Sequence, residues 1–558
     1  MQQQTLQYKQ SLDARFDQAV AAITASESQW QVSGDGKVYY VSPNGNDAND
    51  GLSPERAWAT VGKVNETTVA EGSVILFERG GVWNRQGTLR IKKGVTFSAY
   101  GTGDKPLLSN CIDANATSDW TKVGENLWVY SGAYASPVVE GYDKNGVYHS
   151  FPNDPSLLGS YLTSLDTNVG SFDDHPQNQD VGCIIFGNGE SWGVKMTIES
   201  KDPNDLVSVN LGTVWNGLVE KDYPSIPFAD ENDLCDEGTF FHNPKTSRLY
   251  LCCTENPATK YGSVKLVLRG YGIGADSGEA DGAVIDNIAM KYFGAHGISV
   301  AHVVNFTIRN CEIGWIGGSI HLYKFGDRTY PTRFGEGIQN WGRCDGFYVK
   351  DSWIYQVYDG ALSSQQSSDP SLKSVLMKDI QVTGCLFEYN TESIEMWQTL
   401  RDGMFDDDNS QAENYGFVGM RITDNLFRNI GYGFGNTRPG IAILFDEAAA
   451  LNVGDGYYGK NGFPFSFVDC EMSGNVLWST RKHFLKGLYW DMDCGFRLCG
   501  NTFLADYGTD FGMLPTDFDN MKSWDYAKYT YTDAVMGDLL KNGIIGNNDF
   551  YYLDPTVR

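Results

Sequence analysis

The chain has 558 residues, of which 70 are acidic and 43 are basic, so its formal net charge at neutral pH is -27. This excess of negative charge repels nucleic acids, anionic membranes and polyanionic polysaccharides at long range, and we expect no nucleic acid and no membrane partner. Hydrophobic residues make up 41% of the chain, and its 63 glycines and 31 tyrosines favour a turn-rich β protein over a disordered or helical one.

Residues 1–34 are predicted to form a helical segment. Their apolar residues recur at helical spacing up to the break at Ser33-Gly-Asp-Gly36, which predicts an amphipathic helix that covers part of the core. The recurring residues are Leu12, Phe16, Ala19, Val20 and Ile23. The stretch lacks the basic and then apolar order of a signal peptide, so the chain as written is expected to be cytoplasmic, and extracellular if a signal segment was removed from it.

Short β-rich phrases separated by Asn, Asp and Gly turns follow, and we assign residues 35–115 to the first coils of a solenoid. Residues 116–268 interrupt this pattern with phrases such as ENLWVYS, GVKMTI and SVKLVL. These phrases predict an antiparallel β-sandwich-like domain inserted into the solenoid. The main part of the solenoid, with the active site, is expected over residues 269–558.

The second half repeats a six-residue phrase in which two apolar residues flank a turn that carries Asn, Asp, Gly or Cys. Its copies begin at Ile308, Val349, Val382, Ile422, Met472 and Leu498. The spacing between copies is irregular, as expected for a solenoid whose coils carry loops of different length. Because stacked coils bring equivalent turn residues into ladders, the phrase predicts an all-β fold, a right-handed parallel β-helix.

Two similar phrases begin with an acid and end with a tryptophan, EGIQNW from Glu336 and ESIEMW from Glu392. Six residues after the second apolar residue of each repeated phrase, the next strand is expected to begin. This count aligns Glu336-Gly-Ile, Asp359-Gly-Ala and Glu392-Ser-Ile on three successive coils, if residues 319–334 are a loop inserted in one turn. Coils lie about 4.8 Å apart, so aligned carboxylates on neighbouring coils approach the separation of about 5–5.5 Å used by retaining glycosidases. The candidate catalytic residues are Asp359, Glu392, Glu395, Glu336 and Asp402.

Strand alternation extends the hypothesis to substrate binding. If Ile338, Ala361 and Ile394 face the core, then Gln339, Leu362 and Glu395 face outward, as do Trp341, Ser364 and Trp397. Outward tryptophans beside carboxylates suit a sugar, whose apolar ring face stacks on an indole while its hydroxyls take hydrogen bonds. The candidate substrate-binding residues are Trp341, Trp397, Gln339, Gln365, His321, Arg328, Arg333 and Tyr358.

Each acid taken alone also has a structural interpretation, as a turn or ladder residue, and the acidic run after Asp402 is typical of a solvated loop. We expect no cofactor, although the acids are compatible with a structural calcium ion. The 11 cysteines form no CxxC pair and are expected to be buried free thiols.

The opening YYVSPNGNDANDGLSPERAWATVGKVN and the later GEGIQNWG and IYQVYDGALSSQ resemble bacterial right-handed parallel β-helix enzymes of the pectate-lyase-like superfamily. Within that superfamily, they resemble the branch that contains the lacto-N-biosidase and β-xylosidase glycoside hydrolases. The resemblance covers most of residues 37–558. It implies a retaining hydrolase with two carboxylates, which we carry onto Asp359 first and onto Glu392 or Glu395 second.

The resemblance further implies a neutral oligosaccharide substrate, cleaved by the release of a disaccharide or a xylose unit, and a helical partner that assists folding. Residues 1–30 would be a remnant of that partner or its attachment point, and the protein is otherwise expected to be a monomer or dimer. The long loops 319–334 and 398–416 favour a walled pocket and exo-action.

Two other function classes stay open at this stage. A polysaccharide lyase on the same fold would use a Lys, Arg, His or Tyr base, often with calcium, to abstract the proton beside a uronate carboxylate. The net charge of -27 disfavours such an anionic substrate, but a local basic cluster of His321, Lys324, Arg328 and Arg333 would offset it. A glycan-binding β-helix without catalysis would use the tryptophans alone.

Overall fold

A computed structural model describes most of the chain. The described residues are 2–132, 134, 138–142, 148–152, 180–196, 212–215, 217, 220–223, 231–234, 236–243, 248–275, 277–325, 328–366, 375–398, 416–435, 440–447, 467–486, 496–506, 510–512, 545–554 and 556. The helices are α1 (Gln2–Thr24), α2 (Val61–Glu66) and α3 (Pro257–Tyr261). Short 3₁₀ turns span Pro54–Arg56, Thr117–Asp119, Gly187–Gly189 and Glu231–Asp233.

The main body is a parallel β-helix, as the repeat predicts, and each full coil contributes strands to three faces. Face 1, which carries the acids, consists of Leu89–Arg90, Ile273–Gly274, the first parts of Ile298–Arg309 and Ile338–Lys350, Gly360–Gln366, Glu392–Gln398, Ile441–Glu447, His483–Lys486 and Asp510–Gly512. Every pairing in this face is parallel, because the chain returns to it in the same direction after each coil.

The other two faces close each coil. Face 2 consists of Val38–Val41, Val74–Glu78, Thr96–Tyr100, Val284–Asp286, the second parts of the two long strands, Met377–Thr383, Phe417–Val418, Arg421–Thr423, Phe467–Val468, Cys470–Ser473, Phe496–Cys499 and Ile545–Gly546. Face 3 consists of Val82–Asn84, Leu107–Ser109, Ala289–Phe293, Glu312–Ile316, Trp353–Val357, Leu386–Glu388, Leu426–Arg428, Val476–Trp478, Thr502–Ala505 and Asp549–Tyr552.

The six-residue repeat marks the turn between faces 2 and 3. The first apolar residues of its six copies pair in a single column from Ile308 to Leu498, and they are fully buried. Asn425, Asn475, Asn501 and Asn548 stack in the turn, and each side-chain oxygen accepts the backbone amide of the turn below. The predicted ladder is therefore confirmed on these coils.

The inserted domain is a two-sheet sandwich. One sheet contains Ser191–Trp192, Val181–Phe186, Val264–Leu268 and Cys111–Asp113, and the other contains Val194–Lys195, Thr239–Asn243, Arg248–Cys252, Leu127–Tyr130 and Trp120–Lys122. Hairpins Val138–Tyr142 with Tyr148–Pro152 and Gly212–Trp215 with Glu220–Tyr223 complete the described strands of this region. The predicted start at residue 116 is wrong, because Cys111–Asp113 already pairs antiparallel with the last sandwich strand.

Helix α1 lies along the outer side of face 3. Leu12 and Phe16 pack with Leu426, Trp478 and other residues of successive face 3 strands. Gln2 bonds to the Tyr552 carbonyl at one end, while Ser26 bonds to Lys105 and Asn287 near the other, so the segment runs along several coils. The amphipathic pattern predicted the helix, and its apolar side covers a flank of the β-helix.

The nine cysteines among the described residues are free thiols, and all but Cys499 are buried, as predicted for them. Within the same part of the chain, no helix is both long and apolar enough to cross a membrane.

Candidate active site

Five stacked strands of face 1 form the candidate site, and we name each by the residue that it contributes to one column. They are the Ser299 strand (Ile298–Arg309), the Gln339 strand (Ile338–Lys350), the Ser363 strand (Gly360–Gln366), the Glu395 strand (Glu392–Gln398) and the Leu444 strand (Ile441–Glu447). The column joins Ser299, Gln339, Ser363, Glu395 and Leu444 in register. A second column, two residues along each strand, joins Trp341, Gln365 and Trp397.

The predicted register of the Ser363 strand is wrong by one residue. Leu362, and not Ala361, pairs with Ile338 and Ile394, and Gly360, and not Asp359, pairs with Glu392. Leu362 is fully buried in the core and does not face outward as expected. The larger apolar side chain takes the core position, so Asp359 falls in the turn just before the strand begins.

This shift also changes the residues that line the outer columns. Ser363 takes the position between Gln339 and Glu395 that was assigned to Leu362, and Gln365 takes the position between the tryptophans that was assigned to Ser364. Ser364 is instead fully buried. The site face is therefore more polar than the predicted register implies.

Four of the five candidate acids come together despite the register error. Glu392, Asp359 and Glu336 all exert an electrostatic effect on Glu395, and each of the four is at least nine-tenths buried. Glu395 also lies against Gly360, the residue after Asp359, because its Oε2 would be 3.6 Å from a Cβ at that glycine. Asp402 lies outside the described residues.

Burial raises the pKa of Glu395 well above its ordinary value, and the negative charges of Glu392, Asp359 and Glu336 raise it further. A hydrogen bond from the Ser363 hydroxyl to Oε2 acts in the opposite direction. The amide of Gln365 donates to the same oxygen at 3.1 Å. Glu395 is therefore the carboxyl group whose protonated form its surroundings favour, which is the form that a general acid needs.

His296 contacts one of the four acids and was not among the residues predicted from the sequence. Its Nδ1 accepts the backbone amide of Glu336 at 3.1 Å and contacts the Glu336 carboxylate, and its ring packs against Tyr271 and Phe334. The signal was present, since His296-Gly-Ile298 repeats the phrase Glu336-Gly-Ile338 one coil earlier. Ser363 was missed as well, because its position depended on the misaligned register.

The candidate substrate-binding residues divide into exposed and buried groups. Trp341 is 37% exposed and Trp397 is partly exposed, so both indoles can be reached by a ligand. Gln339, in the first column, accepts a hydrogen bond from Ser299 at 3.0 Å. In contrast, Tyr358 and Arg333 are buried, and the Arg333 guanidinium lies 4.1 Å from the centre of the Tyr358 ring.

The segment that was expected to be a loop is a hairpin of Ser319–Phe325 and Arg328–Phe334, inserted immediately before Glu336. His321 pairs with Thr332 and Arg328 pairs with Phe325 in this hairpin, and only the backbone of these two candidates is described. The hairpin ends two residues before Glu336 in the chain.

No protein-family model matches the chain, and no curated protein matches it. Among solved structures, one named as a glycoside hydrolase is similar over 94% of this chain and 97% of its own, with 11% identity and a TM-score of 0.43. The complex of XylC with xylose is similar over 85% and 70%, with 10% identity and a TM-score of 0.37. The GH136 lacto-N-biosidase from Eubacterium ramulus is similar over 93% and 68%, with 11% identity and a TM-score of 0.29. Similarity at this level assigns neither a family nor a substrate to this chain.

The acids are also possible ligands for a metal ion. Among the described residues, no group of three or more His, Cys, Asp or Glu side chains is arranged to hold a metal ion.

Proposed function

We propose that the protein is a retaining glycoside hydrolase that removes a β-linked unit from the non-reducing end of a neutral oligosaccharide. The observation that carries this proposal is the buried Glu395, whose pKa is raised beside three further carboxylates. A carboxyl group with a raised pKa and a second carboxyl group close to it are the two groups that glycoside hydrolysis requires.

In the proposed mechanism, Glu395 is the acid and base and Asp359 is the nucleophile. An ionised Asp359 attacks the anomeric carbon, the glycosidic bond breaks, and the proton of Glu395 passes to the leaving oxygen. Glu395 then takes a proton from water, which attacks the same carbon and releases Asp359. Glu392 is the alternative nucleophile, since its negative charge also raises the pKa of Glu395.

The substrate class follows from charge and from exposed aromatic surface. A net charge of -27 and a site built around four acids disfavour an anionic sugar. Trp341 and Trp397 offer ring faces for stacking on either side of Gln365. A hairpin inserted in the chain just before Glu336 is compatible with exo-action, and lacto-N-biosyl and xylosyl groups are the first units to test.

A lyase is the weaker alternative. A lyase must neutralise a uronate carboxylate, but the charged groups with the largest effects on Glu395 are all acids. Arg333, which was a candidate for that task, is buried at the base of the hairpin and stacks on Tyr358.

The first test is incubation of the wild-type protein and Asp359→Asn with aryl glycosides and neutral oligosaccharides, followed by mass spectrometry. We expect wild type to release a sugar, and Asp359→Asn to be slower by several orders of magnitude, while NMR shows that the first anomer formed keeps the β configuration. Unsaturated products from uronate polymers would instead indicate a lyase, and no product from any substrate would contradict the proposal.

A second test distinguishes the two nucleophile candidates. A 2-deoxy-2-fluoro glycoside with a good leaving group should trap the covalent intermediate, and peptide mass spectrometry then identifies the labelled residue. Glu395→Ala should still form the intermediate from a dinitrophenyl glycoside, and added azide should restore turnover as a β-glycosyl azide. A label on Glu392 would reassign the nucleophile, and a label on Glu395 would contradict its role as acid.

A further inference from the structure

A group of buried charged residues lies where the inserted sandwich meets the base of the hairpin 319–334, and the proposed mechanism does not use it. Asp180 and Lys195 belong to the sandwich and Arg333 to the hairpin, and each is less than 8% exposed. Burial of charged groups is costly unless they are paired, so such a group at a domain junction calls for an explanation.

The sandwich residues bind the first strand of the hairpin. The Lys195 amine forms an ion pair with Asp180 and also donates to the carbonyl of Gly318 at 3.3 Å. The same Asp180 oxygen accepts the backbone amide of Ile320 at 2.5 Å. These bonds hold the backbone at both ends of Gly318–Ile320, where Gly317 and Gly318 turn the chain with positive φ angles.

Arg333 closes the base of the hairpin from its second strand. Its Nε donates to the Gly318 carbonyl at 2.9 Å and its Nη2 to the Gly182 carbonyl of the sandwich at 3.3 Å. Its guanidinium stacks on Tyr358 at 4.1 Å, an arrangement in which a desolvated cation is attracted to the ring face. One side chain thus joins the sandwich, the hairpin and the turn that carries Asp359.

The packing around these bonds leaves little room. A Cβ on Gly182 would overlap the carbonyl oxygen of Gly317. Tyr358 belongs to an apolar cluster that mixes both domains, and the cluster consists of Cys183, Ile185, Trp192, Val267, Trp315, Tyr358 and Phe434. A displacement of the sandwich would therefore displace Tyr358.

The catalytic acids are direct neighbours of this junction along the chain. Asp359 follows Tyr358, and its backbone amide approaches the carbonyl of Gly335, at the end of the hairpin, at 3.4 Å. Glu336 follows Gly335, three residues after Arg333. The turns that carry two of the four acids are both fixed at the point where the sandwich is attached.

We propose that the inserted sandwich is a positioning element for the acids, with Arg333 as its positioning residue. Arg333, held by the Asp180 and Lys195 pair through Gly318, sets Glu336 and Asp359 relative to Glu395. The inference rests on the proposed function for its kinetic part. It also assigns Arg333 a role through Tyr358 and Asp359, in place of the direct contact with substrate that its sequence suggested.

The test compares Arg333→Met and Arg333→Lys with the matched control Arg428→Met. Arg428 is also a largely buried arginine, and it stacks on Phe16 at the same distance of 4.1 Å, but it joins α1 to face 3 on another side of the protein. Each variant is measured for kcat and KM on the aryl glycoside that wild type cleaves. Hydrogen–deuterium exchange is measured on peptides from residues 330–340 and 355–366.

We expect Arg333→Met to lower kcat by about 100-fold with little change in KM. A displacement of a catalytic carboxyl group by about 1 Å slows the reaction by a factor of that size. Amide exchange should rise in both peptides, and Arg333→Lys, which keeps the charge but not the planar fork, should recover part of kcat. Arg428→Met should change neither kcat nor exchange in these peptides, even if it lowers the melting temperature.

Three results would overturn the inference. A higher KM at unchanged kcat would make Arg333 a substrate-binding residue, and equal effects of the Arg333 and Arg428 variants would make it merely structural. Unchanged exchange in both peptides would also contradict it. If wild type cleaves no glycoside, the proposed function fails, and the exchange measurement still decides whether the sandwich fixes the two turns.

Discussion

Ser363 and Glu395 are neighbours on adjacent strands, and the Ser363 hydroxyl donates a hydrogen bond to the one carboxyl group that three other acids surround. The bond favours the charged form of Glu395, whereas burial and the neighbouring charges favour the protonated form. The pKa of the proposed catalytic acid is thus set by opposing influences that single substitutions can separate.

Ser363→Ala removes the donor and should raise the pKa of Glu395. Because the acid must be protonated to act, the alkaline limb of the pH profile of kcat/KM should move to higher pH. Ser364→Ala is the matched control, since Ser364 is buried on the opposite side of the same strand. A limb that stays in place in Ser363→Ala would show that Ser363 does not influence the catalytic acid.

Glu336→Gln should have the opposite effect. The substitution removes one negative charge that raises the pKa of Glu395, so the alkaline limb should move to lower pH with the side-chain volume unchanged. Asp345→Asn, an exposed acid on the same long strand, should leave the limb in place. Movement to higher pH in Glu336→Gln would contradict the arrangement of acids around Glu395.

The raised pKa of Glu395 also predicts a pH dependence of stability that does not require any activity. A carboxyl group whose pKa is raised by folding contributes stability that is fully present below its unfolded pKa of 4.5 and is lost as the pH rises through its folded pKa. Glu395→Gln removes this loss, so its free energy of unfolding relative to wild type should increase between pH 4 and pH 8.

The size of this increase measures the shift, at about 1.4 kcal/mol for each unit by which the folded pKa of Glu395 exceeds the unfolded one. Urea denaturation at a series of pH values gives the comparison. Glu71→Gln, at an exposed acid on another part of the protein, should show no such trend. A difference that is independent of pH would mean that Glu395 is ionised in the folded protein.

The fold was predictable because its determinants are local and repeated. The column from Ile308 to Leu498 and the ladder from Asn425 to Asn548 each place the same residue type at the same point of successive coils. The start of the sandwich was missed because Cys111–Asp113 pairs with Val264–Leu268, a partner far away in the sequence that no local pattern indicates.

The sequence indicated which strands carry the four neighbouring acids, but not the alignment of those strands. Counting along the chain cannot decide whether Ala361 or Leu362 enters the core, since both are apolar and a shift of one residue reverses the side of the strand. The choice depends on which side chain fits against Ile338 and Ile394. The position of Arg333 at the domain junction was equally hidden, because its partner Gly182 belongs to the sandwich.

The asparagine ladder should contribute strongly to stability. The Asn475 side chain donates to the Ile422 carbonyl and to Asn501, and its oxygen accepts the backbone amide of Asn425, all in a fully buried turn. Asn475→Ala leaves these groups without partners and should lower the free energy of unfolding by about 2–5 kcal/mol. Asn548→Ala at the end of the ladder should cost clearly less in the same urea titration, and equal losses would argue against a cooperative ladder.

Trp341 and Trp397 should provide the stacking surface of the proposed substrate site. They stand two strands apart in one column, which corresponds to about 9.6 Å at the ordinary strand spacing, with Gln365 between them. Loss of one stacked ring costs on the order of 1–3 kcal/mol of binding, so Trp341→Ala and Trp397→Ala should each lower kcat/KM by roughly 10-fold to 100-fold.

The melting temperature of Trp341→Ala should change little, because that indole is 37% exposed and contributes little to the core. Trp353→Ala is the control with the opposite outcome, since Trp353 stacks on Tyr355 at 4.1 Å on face 3, away from the acids. It should reduce stability and leave kcat/KM unchanged. If the Trp341 and Trp397 variants keep the wild-type kcat/KM, the substrate does not bind against these two tryptophans.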